Sequence, residues 1–322
     1  MLSRVADNLY WMNRYVERAE SLARMVEVNQ DNLLELDNNI EVDRFWLSSF
    51  HAFHAHEYID HEKENSAECF FLFSDSWPSS IRNCIFSARE NARMVRDQLS
   101  EEIWVELNSI YHFFRSKDAE VSFDQTPQQF FQKVIRFSLV FQGLSDATVN
   151  HDEGWLFMSL GKYLERADQT SRALDALTLK EKKPSRKDLI AALRICSALS
   201  AFRRQYRGEL SLRNVAEFLL FSQDFPRSMR FAIRRIDSNL HELSGVPSGN
   251  FSNEAERLAG SALATVNFTN IDAVLTRGLH LSLDELQLSL MDVGQKIFET
   301  YVMSPLELQN VNDDQSMQAQ QQ

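Results

Sequence analysis

Apolar side chains recur at alternating four- and three-residue steps along the first 33 positions of the chain. Residues three and four apart share one face of a helix, so this spacing forms an apolar seam along about eight turns. A single polar residue, Gln30, interrupts the seam. Its apolar members are Val5, Leu9, Met12, Val16, Ala19, Ala23, Val26 and Leu33.

The same spacing returns in the second half of the chain, and no segment shows the period-2 alternation of a half-buried strand. The chain has 9 glycines and 6 prolines, against roughly 20 and about 15 at average usage, so turns are few. The sequence therefore predicts an all-α fold built as a long-helix bundle. The second seam consists of Phe157, Leu160, Leu164, Ala167 and Leu174.

Several polar residues mark helix starts. Thr126, Pro127 and Gln129 offer an N-cap, a proline at the first helical position and a glutamine two residues further on, which is a good start for the apolar segment that follows. Ser185 and Ser252 are predicted N-caps of later helices.

One sequence phrase occurs twice. YVERAESLAR at 15–24 and YLERADQTSR at 163–172 share five of ten positions. FFLFSDSWPSSIR at 70–82 and FLLFSQDFPRSMR at 218–230 share seven of thirteen, at the same offset of 148 residues. Because two matches share one offset, we interpret them as an internal duplication.

The duplication predicts two helical repeat units, residues 1–150 and 151–302, that form one composite domain about an approximate pseudo-twofold axis. The period is too long for a solenoid repeat of roughly 20 to 50 residues. In each copy a proline, Pro78 or Pro226, is expected where a short buried helix ends and a longer one begins. The Gln- and Asn-rich end, 303–322, is predicted to be a disordered tail.

Composition narrows the class of protein. The formal net charge of -12 disfavours nucleic acid and anionic membranes as general partners. No apolar run is long enough to span a bilayer, and the N-terminus lacks the pattern of a signal peptide. Cys69, Cys84 and Cys196 are far apart, which favours a reducing cytoplasm and a role as small core residues.

Acidic and arginine residues stand one position beyond the seam in both copies. Pairs four apart, Glu20 with Arg24 and Asp168 with Arg172, predict bridges along one helix. The dipeptides Glu17-Arg18 and Glu165-Arg166 cannot bridge internally, because neighbours in sequence point to different helix faces. Each of these glutamates is therefore expected to meet an arginine from another helix, since an unpaired buried charge is very costly.

An arginine stripe is the predicted partner of these glutamates. Its members fall on one helix face, and they form either an ion-pair network with Glu17 and Glu20 or an anion site for phosphate or carboxylate groups. In the second copy only Arg230 stands at a matching place, so the first copy is the expected home of any such site. Arg93 is expected to be more structural than Arg89. The stripe consists of Arg82, Arg89, Arg93 and Arg96.

Metal and catalytic signatures are weak. His51, His54, Glu57 and His61 could share one helix face with a metal-ligand spacing, but facing carboxylates are not apparent, and a solvated patch is the favoured interpretation. No phosphate loop, nucleophile elbow or HExxH motif occurs. No cofactor and no metal are expected.

The opening MLSRVADNLYWMNRYVERAESLARMVEV resembles that of the bacterial alpha-E domain family. The resemblance continues through WPSSIRNCIFSARENARMVRDQLSEEIWVELN and FLLFSQDFPRSMRFAI and covers nearly the whole chain apart from the tail. Ser74 and Ser222 stand where the family often has an acid before the proline corner. The family's motif residues fall on Glu17, Arg18, Arg89, Glu90, Asn91, Arg93, Glu165, Arg166 and the corner Pro226-Arg227-Ser228.

Members of the family are commonly encoded beside, or fused to, circularly permuted ATP-grasp proteins and transglutaminase-like proteins. The resemblance thus implies a place in a system that makes or modifies amide or peptide bonds. Three hypotheses stay open: a non-catalytic partner or substrate-presenting subunit of an ATP-grasp ligase, an enzyme using the Glu/Arg centre for acid-base chemistry on an anionic peptide-like substrate, and a purely structural scaffold.

Overall fold

The computed structural model describes residues 1–34, 42–61, 66–179 and 183–303. Within these ranges the chain forms fifteen α-helices and no strand, which confirms the all-α class. The helices of the first half are α1 (Ser3–Leu34), α2 (Val42–Ala52), α3 (Ala67–Phe73), α4 (Ile81–Met94), α5 (Glu101–Arg115), α6 (Asp118–Gln125) and α7 (Pro127–Thr148).

The second half continues with further helices of similar lengths. They are α8 (Glu153–Asp175), α9 (Arg186–Ile195), α10 (Leu199–Tyr206), α11 (Leu212–Phe221), α12 (Met229–Ser244), α13 (Glu254–Phe268), α14 (Ile271–Arg277) and α15 (Leu279–Tyr301). Short 3-10 helices lie at His56–His61 and Arg96–Gln98. None of the described helices is both long enough and apolar enough to cross a membrane.

The two longest seams predicted from sequence form the centre of the molecule. α1 packs against α8, and these two helices carry most of the buried polar and charged side chains that concern function. At their crossing, a Cβ atom added to Gly161 would lie 2.2 Å from the backbone oxygen of Tyr10. Because no side chain fits in that space, glycine lets the two helix backbones touch.

Each central helix has its own set of neighbours. α4 and α7 pack on α1, and α5 packs on both of them. α12 and α15 pack on α8, and α13 packs on both of these. The apolar cluster runs without a break through both sets, so the central pair joins two layers into one core.

The predicted helix starts are partly correct. α9 begins after Ser185, whose side chain accepts from the Asp188 amide in a capping box. α7 begins at Pro127, but the Thr126 hydroxyl donates to a carbonyl of the preceding helix instead of capping. The prediction for Ser252 is wrong, because the next residue, Asn253, caps α13 with its side-chain oxygen.

The corners at Pro78 and Pro226 have the predicted form. In the first, the Ser80 hydroxyl caps α4 and donates to the Ser74 carbonyl at 2.7 Å. In the second, the Ser228 hydroxyl caps α12 and donates to the Ser222 carbonyl at 2.6 Å. The serines at 74 and 222 thus end the short helices, through their own amides and carbonyls.

The cysteines are core residues, as predicted. Cys84 and Cys196 are buried and Cys69 is half-buried, and all are free thiols. Burial raises the pKa of Cys84 to about 12 and that of Cys196 to about 11, so neither is a ready nucleophile. The predicted disordered tail lies, from position 304 onward, outside the described residues.

Candidate functional site

Glu17 stands at the centre of the α1–α8 interface, with 1% of its side chain exposed. Arg166 of α8 donates to both carboxylate oxygens, from Nε and Nη2, at 2.8 Å each. Arg227, in the corner before α12, donates from Nη1 at 2.9 Å, and Gln142 of α7 donates from Nε2 at 2.7 Å. Four donors from three separate parts of the chain therefore satisfy this carboxylate.

Glu165 is the corresponding carboxylate on α8, and none of its side chain is exposed. Arg18 of α1 donates from Nε at 2.6 Å and from Nη2 at 2.9 Å. Arg14, one turn earlier on α1, donates from Nε at 2.8 Å. Gln169 completes the set from Nε2 at 2.8 Å. Glu165 thus also has four donors, most of them from the other central helix.

The pairing of the two Glu-Arg dipeptides is reciprocal. Glu17 of α1 binds Arg166 of α8, while Glu165 of α8 binds Arg18 of α1. The prediction that both glutamates meet arginines from other helices, and not their sequence neighbours, is confirmed. Four charges are satisfied at once, so either helix alone would leave a buried charge without a partner.

Glu20 extends the cluster by one turn. Its Oε1 accepts from Arg24 at 2.9 Å, the predicted bridge along α1, and from Arg227 at 2.5 Å. Its Oε2 accepts from the Ser138 hydroxyl of α7 at 2.7 Å. Because Arg227 binds both Glu17 and Glu20, it ties the corner before α12 to the central helices.

Asp168 and Arg172 form the other predicted bridge, on α8. Arg172 donates from Nε to Asp168 at 2.7 Å. It also donates from Nη1 to the carbonyl of Ala52 at 2.7 Å, which holds the end of α2 against the centre. This pair therefore serves as a bridge between elements as well as along one helix.

The charges decide what the carboxylates can do. Burial raises the pKa of Glu17, but Arg166 and Arg227 outweigh it and hold that pKa at about 2. Burial acts likewise on Glu165, and Arg18 and Arg14 bring its pKa well below the usual range. A general acid or base needs a pKa near the working pH, so these ionised, fully bonded carboxylates are poorly suited to that chemistry.

A cavity of about 510 Å³ lies beside this cluster, between α1, α8 and α15. Its polar lining includes Arg14, Arg18 and Arg172, together with Asp7 and Asp168. Its apolar lining consists mainly of Phe157, Leu164, Leu290, Met291, Ile297 and Phe298. Cavities of this size, with a few converging polar groups, are typical of small-molecule sites.

The prediction that the α4 arginine stripe pairs with Glu17 and Glu20 is wrong. The face of α4 with buried small and apolar residues packs on α1, which leaves the arginines to meet α5 and α6. Arg82 binds Glu120 of α6 and Asp75. Arg96 lies past the end of α4 and donates to the carbonyl of Leu99.

The middle of the stripe is a surface cluster. Arg89 and Arg93 both bind Glu90, at 2.6 Å and 2.9 Å. Arg89 also stacks its guanidinium over the rings of Trp104 and Tyr111 on α5. The exposures run against the expectation that Arg93 is the more structural of the two, because its side chain is 54% exposed and that of Arg89 is 22% exposed.

The remaining predicted residues lie away from the centre. Asn91 is half-buried on α4, and Arg230 donates to Asn267 of α13 at 2.7 Å. Of the candidate site residues, the structure gathers seven in the central cluster and leaves the other seven on or beside α4 and α12. The seven gathered residues are Glu17, Arg18, Glu20, Glu165, Arg166, Asp168 and Arg227.

The histidine patch does not form one helix face. α2 ends at Ala52, His54 has a positive φ of 50°, and a 3-10 helix resumes at His56. His51 stacks on His56 instead of pointing to a shared metal position, and the side chain of His61 lies outside the described part.

A different group, among the residues that the structure describes, brings three ligand-type side chains within 4.8 Å of one another: Asp175, His280 and Asp284. His280 donates from Nδ1 to the Asp175 carboxylate at 2.7 Å, and the Thr178 hydroxyl also donates to it. The group therefore has an internal hydrogen-bonding explanation.

Among the residues that sequence reasoning missed, three could have been found from their spacing. Arg14 lies on the same helix face as Arg18, four residues away, so its position was readable from the α1 spacing. Ser138 and Gln142 interrupt the apolar face of α7 at a four-residue step, which is a signal for polar groups turned inward.

These features define a class of protein: an all-α domain whose two central helices are joined by reciprocal Glu-Arg pairs. The chain belongs to the Alpha-E family, whose model matches residues 1–302 and is described as a predicted alpha-helical domain with a conserved ER motif.

Relatives with longer chains are also found. The chain is similar to an uncharacterised protein of Mycobacterium bovis, 26% identical over 333 residues, which cover 94% of this chain and 37% of the relative. An uncharacterised protein of Mycobacterium tuberculosis strain H37Rv is 25% identical over the same shares. The chain thus spans little more than a third of the length of these relatives. No solved structure matches the chain significantly.

Proposed function

We propose that this protein is a non-catalytic partner, or substrate-presenting subunit, of a circularly permuted ATP-grasp ligase that forms amide or peptide bonds in the cytoplasm. A transglutaminase-like protein is a further candidate partner. The observation that carries the proposal is the complete internal pairing of Glu17 and Glu165, each with four donors. The cluster supports holding and positioning better than proton transfer.

ATP and the bond-forming step belong to the partner in this proposal. The chain would contribute its long helical surfaces and the cavity beside Arg14 and Arg18. The net charge of -12 fits a protein partner better than nucleic acid. The mycobacterial relatives are longer than this chain, which leaves room in the relatives for a second functional part.

We also propose that the two halves are duplicated units about a pseudo-twofold axis. α4 begins at Ile81 and α12 at Met229, which reproduces the sequence offset of 148 residues. The reciprocal pairing of Glu17 with Arg166 and Glu165 with Arg18 is the pattern that a twofold axis produces at an interface. An experimental structure tests this: one rotation should superpose 15–24 on 163–172 and also 70–82 on 218–230.

The partnership is tested by co-purification from the native cell, followed by ATP hydrolysis and amide formation with the purified ATP-grasp protein. We expect a complex, and a higher rate of ligation when this chain is present. The chain alone should be inactive on ATP and on peptide substrates. A partner that neither binds nor changes its rate on addition of the chain would falsify the proposal, as would turnover by the chain alone.

A further inference from the structure

We propose that the cavity between α1, α8 and α15 binds a short peptide with free amino and carboxyl ends and an apolar side chain. This deepens the substrate-presenting role, and it rests on that proposal for the use that a partner makes of the ligand. The binding itself involves only residues of this chain.

The two sides of the centre differ at the place of Gln142. On the first side, Gln142 of α7 donates to Glu17 and accepts from Arg166 Nη2 at 3.0 Å, so its amide fills the space between them. On the second side, α15 packs on α8 and has Gly294 152 residues further along. α15 begins at Leu279, 152 residues after α7 begins at Pro127, which is four more than the offset of 148 at the corners. Under the proposed duplication with this insertion, Gly294 stands at the place of Gln142. The cavity therefore lies where the first side has an amide side chain.

The arginines facing this cavity have donors to spare. Arg14 uses Nε for Glu165 and Nη1 for the Tyr10 hydroxyl, and its Nη2 has no hydrogen-bond acceptor among the described residues. Arg18 uses one hydrogen each of Nε, Nη1 and Nη2, which leaves two of its five. A ligand carboxylate would take these donors, as the amide oxygen of Gln142 does on the other side.

The other end of the cavity favours a hydrogen-bond donor. Asp7 lines the cavity, and no cation pairs with its carboxylate in the described part of the chain, where its Oδ1 has no hydrogen-bond partner. Burial raises the pKa of Asp7, against a hydrogen bond from Trp11 that lowers it, as expected for a carboxyl that still lacks a cation. An amino group of the ligand would supply one.

The spacing of these two ends sets the length of the ligand. Asp7 and Arg14 are two turns apart on one face of α1, which is about 10 Å along the helix axis. An extended peptide of three residues spans about 10 Å. The two ends of a tripeptide can thus reach both groups at the same time.

The apolar part of the cavity lining favours an apolar side chain on the ligand. Leu164, Leu290 and Phe157 line the interior, and Met291 and Phe298 are exposed at the rim. The acidic groups Asp7 and Asp168 disfavour a ligand with several negative charges, so a phosphate-rich molecule fits less well than a single carboxylate.

Isothermal titration calorimetry of the full chain tests the proposal, with the tripeptide Ala-Leu-Ala as the probe. We expect saturable binding at one site. The C-terminal amide of the probe should bind at least about tenfold more weakly, because it removes the charge that meets Arg14 and Arg18. The N-acetyl form should also bind more weakly, since it cannot pair with Asp7.

A variant that fills the cavity locates the site. Gly294→Gln places an amide where the first side has Gln142, and it removes no paired charge. A Cβ atom at Gly294 would lie 3.4 Å from the Tyr10 hydroxyl, in ordinary contact, so the backbone can accept a side chain there. It should abolish binding. The matched control is Gly143→Gln on α7, where a Cβ atom meets nothing within 4 Å, and this variant should bind as the unmodified chain does.

Three results would overturn the inference: no binding of the free tripeptide, equal binding of its amide, or unchanged binding by a folded Gly294→Gln variant. Failure of the partner proposal is distinguishable. If the chain binds the tripeptide but no ATP-grasp protein responds to it, the site stands and the partnership falls. If an ATP-grasp protein responds to the chain but the chain binds no tripeptide, the partnership stands and the peptide site falls.

Discussion

Glu17 and Glu165 are both buried carboxylates that need charged donors, and different residues supply these donors to each. Each is a fully buried carboxylate on a central helix, and each accepts four hydrogen bonds. Glu17 obtains a second arginine from the corner before α12, Arg227. The residue 148 positions earlier is Ser79, so Glu165 obtains its second arginine, Arg14, from within α1 instead.

The difference extends to the neighbouring helices. Around Glu17, the amide of Gln142 fills the space beside the carboxylate and donates to it. Lys162 pairs with Asp146, whose side chain is exposed. Around Glu165, Gly294 and Phe298 of α15 leave a cavity. On the first side the charges pack two helices together, and on the second side a cavity lies beside them. The experiments below compare the two sides.

The largest effect is expected from removing one arginine of a reciprocal pair. Arg166→Met and Arg18→Met should each lower the free energy of unfolding by about 3–5 kcal/mol, because a buried carboxylate loses a charged partner. Arg166→Met should be the worse, since the side chain of Arg166 is 8% exposed and that of Arg18 is 17% exposed. Urea unfolding measures both.

A double variant, Glu17→Gln with Arg166→Met, is the control for this effect. It should lose less stability than the sum of its single variants, as coupled groups do. Additive losses would show that the two side chains do not interact.

The second largest effect is expected from acid, which should lower the free energy of unfolding. The pKa of Glu17 is about 2 in the folded protein and 4.5 as its ordinary value. A lowered pKa stabilises the fold above pH 4.5, and this contribution, on the order of 3 kcal/mol, is lost as the pH falls toward 2. Unfolding free energies measured across this range at high salt check it, because salt screens surface pairs but not buried ones. Glu17→Gln should flatten the curve.

Filling and emptying the two matching positions should have opposite outcomes. Gln142→Ala should cost about 1–3 kcal/mol, since it leaves hydrogen-bonding groups of Glu17 and Arg166 unsatisfied. Gly294→Ala should be neutral or slightly stabilising, because alanine favours a helix by about 1 kcal/mol over glycine. Thermal unfolding of both variants checks the contrast, and equal losses would contradict the difference between a closed side and an open side.

The smallest effects are expected in the arginine stripe of α4. Arg93→Ala should change stability by less than about 1 kcal/mol, because its pair with Glu90 is exposed. Arg89→Ala should cost about 1–2 kcal/mol through its lost contacts with Trp104 and Tyr111. Melting temperatures of the two variants, with circular dichroism as a check of folding, decide whether Arg89 is indeed the more structural.

Local patterns predicted the helices well and the charge partners poorly. The seam of α1 predicted its length, because a buried helix face repeats every three to four residues. Spacing also required a remote partner for Glu17. It could not tell Arg166 from the arginines of α4, since that choice depends on how α4 is rotated about its axis. Gly294 is silent in sequence, because a cavity is formed by what the surrounding helices leave empty.

The long separation of the paired charges has a consequence for how the protein is made. Arg166 follows Glu17 by 149 residues along the chain, and Arg227 follows it by 210. At about 5–20 residues per second on the ribosome, Glu17 is made about 7–30 s before Arg166, the first of its arginine partners. Until then, burial of the inner face of α1 would also bury the Glu17 carboxylate without an arginine partner, which is energetically unfavourable. The N-terminal helices therefore cannot complete their packing until α8 has been made, and during that time they are accessible to chaperones.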